Sequence, residues 1–394
     1  MCRQKPKLLF LCHSASRNGA TILLLDFLKW LVPQNEFEIN VLINGNGELV
    51  DSFRKLAPTK IWRSPAFLAQ ALSPSFRGVF KTWLEKQSLR LALGLKHFDL
   101  IYANTAATAF HLQCLSTRSQ ATLLHIHELG SVLRLILGSK GSSQLSSMAT
   151  HFIAASNSCQ KTLTGDFQIP AAKVDIVHSF ISPFNISESK RLKHRAGIRR
   201  QLGWPDDAFI VGGCGSLGWR KGTDVFLQVA RNIRDTRGYE NVRFLWVGGN
   251  PYEKETFEFE HDLQAFSLQN QCRLVAASSE VLDYYCAMDA FAMTSREDPF
   301  PLVMLEAGAL GLPIVCFANS GGPPEFVGDD GGCVAPYLDV EAFATHIKNL
   351  RDNQPLCGLL GLAASKTVQN SYTTEVQAPK ILQVIRSSLS AARG

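Results

Sequence analysis

Two carboxylates, Asp298 and Glu306, lie eight residues apart on either side of a turn that contains Pro301. The apolar run over 301–310 predicts a helix, and proline suits its first position because an N–H there has no partner within the helix. Glu306 then lies on the second turn and Asp298 in the preceding loop. Both carboxylates and the free N–H groups of the first turn can reach one ligand. This arrangement suits a molecule that carries phosphate and sugar hydroxyls.

A glycine-rich loop follows the strand predicted over 209–213. Glycines such as Gly215 let the backbone approach a ligand closely, and a helix predicted from Thr223 offers its positive end. Arg220 and Lys221 add positive charge at the same place. A diphosphate leaving group gains negative charge as its bond to a sugar breaks, and fixed cations stabilise that change.

The same loop also fits a dinucleotide-binding fingerprint, Gly213-x-Gly215-x-x-Gly218. A nicotinamide enzyme needs an acidic residue at the end of the next strand, but the strand predicted over 242–247 is followed by Gly248, Gly249 and Asn250. The fingerprint is therefore weak evidence for a dehydrogenase. The chain has no GxxxxGK[ST] loop and no Asp-x-Asp, so a carboxylate-held metal is not expected either.

The composition is that of a globular protein of two domains: 394 residues, 46% hydrophobic and 19% charged. A net charge of +6 is small for this length and predicts no nucleic-acid partner. The ten cysteines form no CxxC pair, which predicts buried thiols in a reducing compartment. The N-terminal apolar run is too short for a signal peptide, and no run reaches the length of a spanning helix. A cytoplasmic protein is expected.

Short apolar runs alternate with amphipathic ones, which predicts an α/β protein with two doubly wound, Rossmann-like domains. The predicted strands are 8–12, 38–43, 100–103, 123–127, 151–155 and 174–178 in the first half, and 209–213, 242–247, 272–275, 290–293, 313–317 and 332–334 in the second. A polar linker is predicted at 183–190. Ligands bind at the carboxyl ends of such strands, so a cleft between the two domains is the expected site.

Three motifs together carry a family resemblance: Gly215-Ser216-Leu217 with Lys221-Gly222, then Asp298 with Glu306, then Gly321-Gly322-Pro323-Pro324-Glu325. In this order they resemble the retaining glycosyltransferases of family four, which have the GT-B fold. The resemblance is collinear over 205–345 and looser in the first half. It implies an acceptor-binding domain over 1–186, a nucleotide-sugar-binding domain over 187–375, and a C-terminal helix over 376–394 that crosses back to the first domain.

The resemblance also implies roles for residues of the second domain. Glu306 would hold the nucleotide ribose, Asp298 would contact donor-sugar hydroxyls, and Lys221 would bind the donor diphosphate. Main-chain N–H groups near Leu302 and Val303 would meet phosphate or sugar oxygens. The donor-binding candidates of this domain are Gly215, Ser216, Arg220, Lys221, Pro301, Leu302, Val303, Glu306 and Glu325.

In the first domain, Asn18 and Gly19 match the family's loop near the donor diphosphate and acceptor. His127, at the end of a predicted strand, matches the active-site histidine that contacts the donor sugar. The catalytic candidates are His127, Lys221, Asp298 and Glu306. Structural alternatives stay open: His127 as a satisfied core group, His125 with His127 as part of a metal site, and Glu325 as a helix cap.

Two positions depart from the family pattern. Asp298 stands where the family has a glutamate, and Ser216 stands where it has an arginine, which removes a cation from the diphosphate site. Arg220 is a candidate to compensate. These departures keep open a non-catalytic relative that binds a nucleotide sugar or a glycan. A GT-B nucleotide-sugar epimerase is a third reading.

The expected function is therefore transfer of a sugar, with retention, from a nucleotide-diphosphate donor to a hydroxyl acceptor. The resemblance implies that the reaction needs neither metal nor cofactor, and that the acceptor is a glycan, a polysaccharide or a lipid-linked intermediate. The segment between Phe80 and Lys96 reads as a basic amphipathic helix. Such a helix can lie on an anionic membrane, although a plain surface helix is the simpler interpretation.

Overall fold

The computed structural model describes residues 4–65, 74–94, 96–328 and 330–393, which form two compact units. Unit 1 comprises residues 1–179 and 374–394, and unit 2 comprises residues 180–373. The predicted boundary at 186 lies seven residues later than this division. The chain turns into unit 2 earlier because Phe180 and Ile181 are buried and Ile181 forms a bridge with Thr373.

Unit 1 is built on a seven-stranded parallel sheet with strand order β3-β2-β1-β4-β5-β6-β7. Its elements are β1 Lys7–Cys12, α1 Gly19–Leu31, β2 Glu38–Asn44, α2 Val50–Leu56, β3 Thr59–Trp62, α3 Pro74–Leu93, β4 Phe98–Asn104, α4 Ala109–Leu115, β5 Ser119–Ile126, α5 Gly130–Met148, β6 His151–Ala154, α6 Asn157–Lys161 and β7 Val174–Ile176. Leu8 to Leu11 of β1 are at most 1% exposed, because helices cover both faces of a parallel sheet.

Unit 2 is built on a six-stranded parallel sheet with strand order β10-β9-β8-β11-β12-β13. Its elements are α7 Glu188–Leu202, β8 Phe209–Cys214, α8 Thr223–Arg234, β9 Val242–Val247, α9 Lys254–Ala265, β10 Cys272–Val275, α10 Val281–Ala287, β11 Ala290–Met293, α11 Leu302–Ala309, β12 Ile314–Phe317, α12 Pro323–Val327, β13 Gly332–Ala335, α13 Val340–Asp352 and α14 Gln354–Ser371. The last helix of the chain, α15 Thr374–Ala391, belongs to unit 1.

Both sheets have the crossover order of doubly wound folds, which confirms the predicted class and all twelve predicted strands. The edge strand β3 was not predicted, because four residues that include the exposed Lys60 give no clear apolar pattern. The predicted linker overlaps α7, which begins at Glu188 after Ser187 caps it. Among the described residues, no helix is long and apolar enough to cross a membrane.

Candidate functional site

The glycine-rich loop after β8 is shaped by positions where a side chain cannot fit. Gly215 has φ +134°, and a Cβ there would lie 3.1 Å from Cε of Lys221. Gly222 has φ +63°, and a Cβ there would lie 2.0 Å from the carbonyl oxygen of Thr294. Trp246 fixes the start of the loop by donating from Nε1 to the Gly215 carbonyl at 3.0 Å. The loop can therefore fold tightly over Lys221 and hold its ammonium in one place.

Lys221, Arg220 and Asp298 form a charged cluster at this loop. Nζ of Lys221 lies 2.6 Å from Oδ2 of Asp298, and a guanidinium nitrogen of Arg220 lies 3.3 Å from Oδ1. Ser295 donates its hydroxyl to Oδ2 at 3.2 Å. The main chain of Asp298 is held as well, because its N–H donates to the Ser320 carbonyl at 2.7 Å. The structure thus brings together two predicted cations and one predicted carboxylate.

The charge state of this cluster follows from its surroundings. Burial alone raises the pKa of Asp298, which is 3% exposed, but Lys221, Arg220 and the hydrogen bond from Ser295 outweigh burial and lower that pKa. Asp298 is therefore ionised at neutral pH. With both cations charged, the cluster carries one net positive charge, which suits an anionic ligand.

The second predicted carboxylate, Glu306, lies on the second turn of α11, as expected. Pro301 is the cap of this helix rather than its first residue, because its ψ of 133° is extended, and the helix begins at Leu302. Oε2 of Glu306 accepts a hydrogen bond of 3.0 Å from the hydroxyl of Tyr285 on α10. Tyr285 is fully buried, and burial raises the pKa of its phenol well above the usual value, so it stays a donor.

Two residues that sequence reasoning missed hold the site in shape. Tyr285 orients Glu306, and Arg296 forms a bidentate ion pair with Asp224, with both N–O distances at 2.7 Å. Arg296 also donates to the Trp219 carbonyl at 2.9 Å, within the turn that carries Arg220. Tyr285 lies in an apolar run that reads as core. Arg296 could have been predicted from the sequence, because it lies two residues before Asp298.

Replacing Tyr285 with phenylalanine removes the hydrogen bond to Glu306 without changing the shape of the core. On the role that the family resemblance implies for Glu306, contact with a nucleotide ribose, we expect nucleotide affinity to fall about fivefold, since one such hydrogen bond contributes ~1 kcal/mol, while the fold is kept. Calorimetric titration with the nucleotide measures the change. Tyr284→Phe is the matched control, because it removes the same phenol hydroxyl from the adjacent residue of α10. Equal affinities in both variants would contradict a role for Tyr285.

The remaining candidates of unit 2 lie after β8, at the start of α11 and in α12. Ser216 is exposed directly after Gly215, so the position of the missing family arginine faces solvent. Leu302 is buried and Val303 half-buried in the first turn of α11. Glu325 lies in the short helix α12 and is half-buried.

In unit 1, the candidates lie at the carboxyl ends of β1 and β5. Asn18 is the cap of α1: its Oδ1 accepts from the Thr21 N–H at 3.0 Å, and its Nδ2 donates to the Ser14 hydroxyl at 3.1 Å. Its side chain therefore shapes the loop, and Gly19 beside it is exposed. His127 follows β5 by one residue, rather than ending the strand as predicted, because pairing stops at Ile126.

The histidines near β5 are held by hydrogen bonds to the neighbouring strand β4. His125 is buried, and its Nδ1 lies 2.5 Å from the Tyr102 hydroxyl. Nε2 of His127 lies 3.0 Å from Oδ1 of Asn104. In the ranges that the structure describes, no group of three or more His, Cys, Asp or Glu side chains could hold a metal ion.

Part of the chain matches a family model and known glycosyltransferases. Residues 194–367 match the family model described as "Glycosyl transferases group 1". The chain is 27% identical over 147 residues to the O-antigen biosynthesis glycosyltransferase WclY of Escherichia coli, covering 37% of this chain and 38% of that protein. It is also 27% identical to D-inositol 3-phosphate glycosyltransferase of Saccharomonospora viridis, covering 54% of this chain and 51% of that protein. The chain thus matches only between about a third and a half of these relatives.

Solved structures are similar over nearly the whole chain. Alr3699/HepE of Anabaena, solved in complex with UDP and glucose, superposes with a TM-score of 0.79 at 19% identity, covering 97% of this chain and 100% of that one. Sucrose-phosphate synthase of Thermosynechococcus elongatus superposes with a TM-score of 0.74 at 18% identity, covering 98% and 100%. At this level of identity the likeness concerns the fold, and it confirms the predicted GT-B class.

Proposed function

We propose that the protein transfers a sugar, with retention, from a nucleoside-diphosphate donor to a hydroxyl acceptor, because residues 194–367 match the model of the group 1 glycosyl transferases. The observation that carries the proposal is the cluster of Lys221, Arg220 and Asp298 at the glycine-rich loop. A loop of this kind with two cations and one net positive charge fits a diphosphate.

Lys221, Arg220 and Glu306 have proposed parts in the reaction. The bond between the anomeric carbon and the diphosphate oxygen breaks, and Lys221 and Arg220 stabilise the charge that develops on that oxygen. The acceptor hydroxyl attacks from the same face and gives its proton to the departing phosphate. Glu306 holds the ribose of the nucleotide, oriented by the Tyr285 hydroxyl. The reaction as proposed uses no metal, since the cations of the chain take the part of one.

The partners proposed are a nucleotide sugar and a glycan or lipid-linked acceptor. A uridine nucleotide is the first donor to test, because the similar Anabaena structures hold UDP and UDP-glucose. The acceptor class follows the relatives, whose names refer to the biosynthesis of O-antigen and amylovoran.

A panel of nucleotide sugars tests the proposal directly. The donor should raise the melting temperature, because a ligand that binds only the folded state stabilises it by mass action. The same donor should slowly release free nucleoside diphosphate. Binding without release or transfer would support the non-catalytic alternative, and interconversion of donors without acceptor would support an epimerase. If nothing in the panel binds, the proposal fails.

A membrane contact through α3 is also part of the proposal. Phe80, Trp83 and Leu91 are 38%, 53% and 80% exposed. At 100° per residue they fall within an arc of roughly 80°, whereas Leu89 and Leu93 lie on the opposite side and are buried. The helix therefore has a second apolar stripe that its own unit does not cover.

The charges beside this stripe favour an anionic surface. Lys81 lies on one side of the stripe, and Lys86 and Arg90 lie on the other. Aromatic side chains with flanking cations are typical of helices that lie in a membrane interface. A lipid-linked acceptor would then be reached at the surface where it resides.

Removing the stripe should weaken binding to anionic vesicles. We expect Trp83→Ala with Leu91→Ala to weaken binding to phosphatidylglycerol vesicles, measured by co-sedimentation, roughly a hundredfold, since each buried apolar side chain contributes ~1.5–3 kcal/mol. Leu359→Ala is the matched control, because Leu359 is 64% exposed on α14 in unit 2. Wild-type protein that does not sediment with these vesicles would refute the contact and leave the transferase proposal intact.

A further inference from the structure

Three histidines lie at the carboxyl edge of the sheet of unit 1, and all three are held neutral. His13 follows β1, and His125 and His127 lie at the end of β5 with ring centroids 3.9 Å apart. Burial lowers the pKa of His127 to about 3, with a further contribution from His13. Burial also lowers the pKa of His13 and of His125. A neutral imidazole has one N–H donor and one acceptor nitrogen, so its tautomer decides what it can bind.

The tautomer of His127 follows from the orientation of Asn104. Asn104 ends β4 and is fully buried, and its amide bridges helix α1 and His127. One end of the amide lies 2.9 Å from the carbonyl oxygen of Ala20. A carbonyl only accepts, so the amide nitrogen must be at that end. The amide oxygen therefore lies at 3.0 Å from Nε2 of His127, and Nε2 must carry the proton.

We propose that Asn104 is a positioning residue that fixes His127 with its proton on Nε2, so that Nδ1 accepts a hydrogen bond from a hydroxyl of the ligand. Among the described residues, the side chain of His127 forms one hydrogen bond, from Nε2 to Asn104, and His127 is only half-buried, which leaves Nδ1 for this purpose. The main chain of His127 is also held, because its N–H donates to Oε2 of Glu128 at 2.9 Å. This carboxylate accepts in turn from the Ala106 N–H at 3.2 Å.

Backbone strain beside Asn104 supports a specialised site. Thr105 has φ +78°, a conformation that β-branched residues rarely adopt, and its N–H donates to the His125 carbonyl at 2.9 Å. Strain of this kind persists where the surrounding structure imposes it and is concentrated at functional sites. Here it turns the chain sharply after Asn104 and keeps the amide between α1 and His127.

The tautomer of His127 restricts which ligand groups can bind to Nδ1. A ligand group facing Nδ1 must donate, so a hydroxyl fits and a fluorine or a carbonyl does not. His127 as placed neither donates from Nδ1 nor acts as an acid there. The identity of the ligand rests on the proposed transferase function, whereas the tautomer does not.

Nuclear magnetic resonance of the full chain tests the tautomer without any ligand. With ring-¹⁵N histidine, His127 should show a protonated, pyrrole-like Nε2 and an unprotonated, pyridine-like Nδ1 at pH 7. The signals are assigned by their loss in His127→Gln. The reverse tautomer, or a doubly protonated ring, would overturn the proposal.

The variant Asn104→Asp tests whether Asn104 sets the protonation of His127 or only fills space beside it. In Asn104→Asp the new carboxylate faces Nε2 and favours the charged imidazolium, so the His127 signals should titrate at a higher pH than in the wild type. Asn44→Asp is the matched control, because Asn44 ends the nearby strand β2 and gains the same charge. An unchanged titration in Asn104→Asp would overturn the role of Asn104. If Asn104→Asp does not fold, the tautomer measured in the wild type still tests the proposal.

The ligand is tested with the nucleotide sugar that gives the largest melting shift in the panel. We then compare this nucleotide sugar with analogues in which one sugar hydroxyl is replaced by fluorine. The wild type should bind one of these analogues at least tenfold more weakly than the parent sugar, whereas His127→Phe should bind that analogue and the parent sugar equally well. Equal binding of all analogues to the wild type would overturn the hydroxyl contact. If no nucleotide sugar binds, the transferase proposal fails while the tautomer result stands by itself.

Discussion

Replacing Lys221 with methionine is expected to reduce sugar transfer about 10²–10³-fold, the usual effect of removing one fixed group that stabilises charge in the transition state. The ammonium of Lys221 is held at the glycine-rich loop and lies 2.6 Å from Asp298, so it needs no rearrangement of the backbone to meet a diphosphate. The rate of nucleoside diphosphate release with the donor identified in the panel measures the effect. Arg220 remains in the variant, which is why some activity should persist.

The same substitution should also lower stability, which requires a control. Without Lys221, the buried Asp298 carboxylate keeps only Arg220, at 3.3 Å, and removing one partner of a buried pair costs ~3–5 kcal/mol. Lys221→Met combined with Asp298→Asn removes both charges and should restore most of the free energy of unfolding without restoring transfer. Recovery of transfer in this double variant would show that Lys221 acts on the fold and not on the reaction.

Acidification is expected to destabilise unit 1 through His111 and His127. Burial lowers the pKa of His111 to about 4 and that of His127 to about 3, from an ordinary value of 6.5. Below pH 6.5 the unfolded chain therefore binds more protons than the folded one. The free energy of unfolding decreases as the pH is lowered, until the histidines of the folded chain also take up protons. For His111 alone, the loss between pH 7 and pH 5 is about 2 kcal/mol.

His111 offers a clean test of this linkage. Neither of its ring nitrogens has a hydrogen-bond partner among the described residues, and its ring meets the edge of Trp62 at a centroid distance of 5.0 Å. His111→Leu should therefore keep the fold at pH 7. Between pH 7 and pH 5 its free energy of unfolding should decrease by about 2 kcal/mol less than that of the wild type. Hydrogen exchange of peptides from unit 1, measured at both pH values, gives the free energies.

The exposed His97 provides the matched control as His97→Leu. If His111→Leu loses as much stability on acidification as the wild type does, the imidazole of His111 is not the group that takes up the proton. If unit 2 loses stability as steeply as unit 1, the carboxylates of the chain dominate instead.

Local pattern was enough to predict the fold class and the loops that carry the site. A buried parallel strand is a short apolar run, and a binding loop follows it directly, so 209–213 and the glycines after it could be read from neighbouring residues. Lys221, Asp298 and Glu306 were predicted in the same way, since the first two lie between a strand and the helix after it and Glu306 lies on the second turn of such a helix.

The sequence by itself thus determined two doubly wound sheets and the chemical types at their carboxyl ends. Only the tertiary structure decided how those groups pair. Asp298 turned out to be the buried counter-ion of Lys221, 77 residues away in the chain. Tyr285 meets Glu306 across 21 residues, and Asn104 meets His127 across 23. Such contacts depend on which strands become neighbours in the sheet, and side-chain spacing along one segment carries no information about a partner on another.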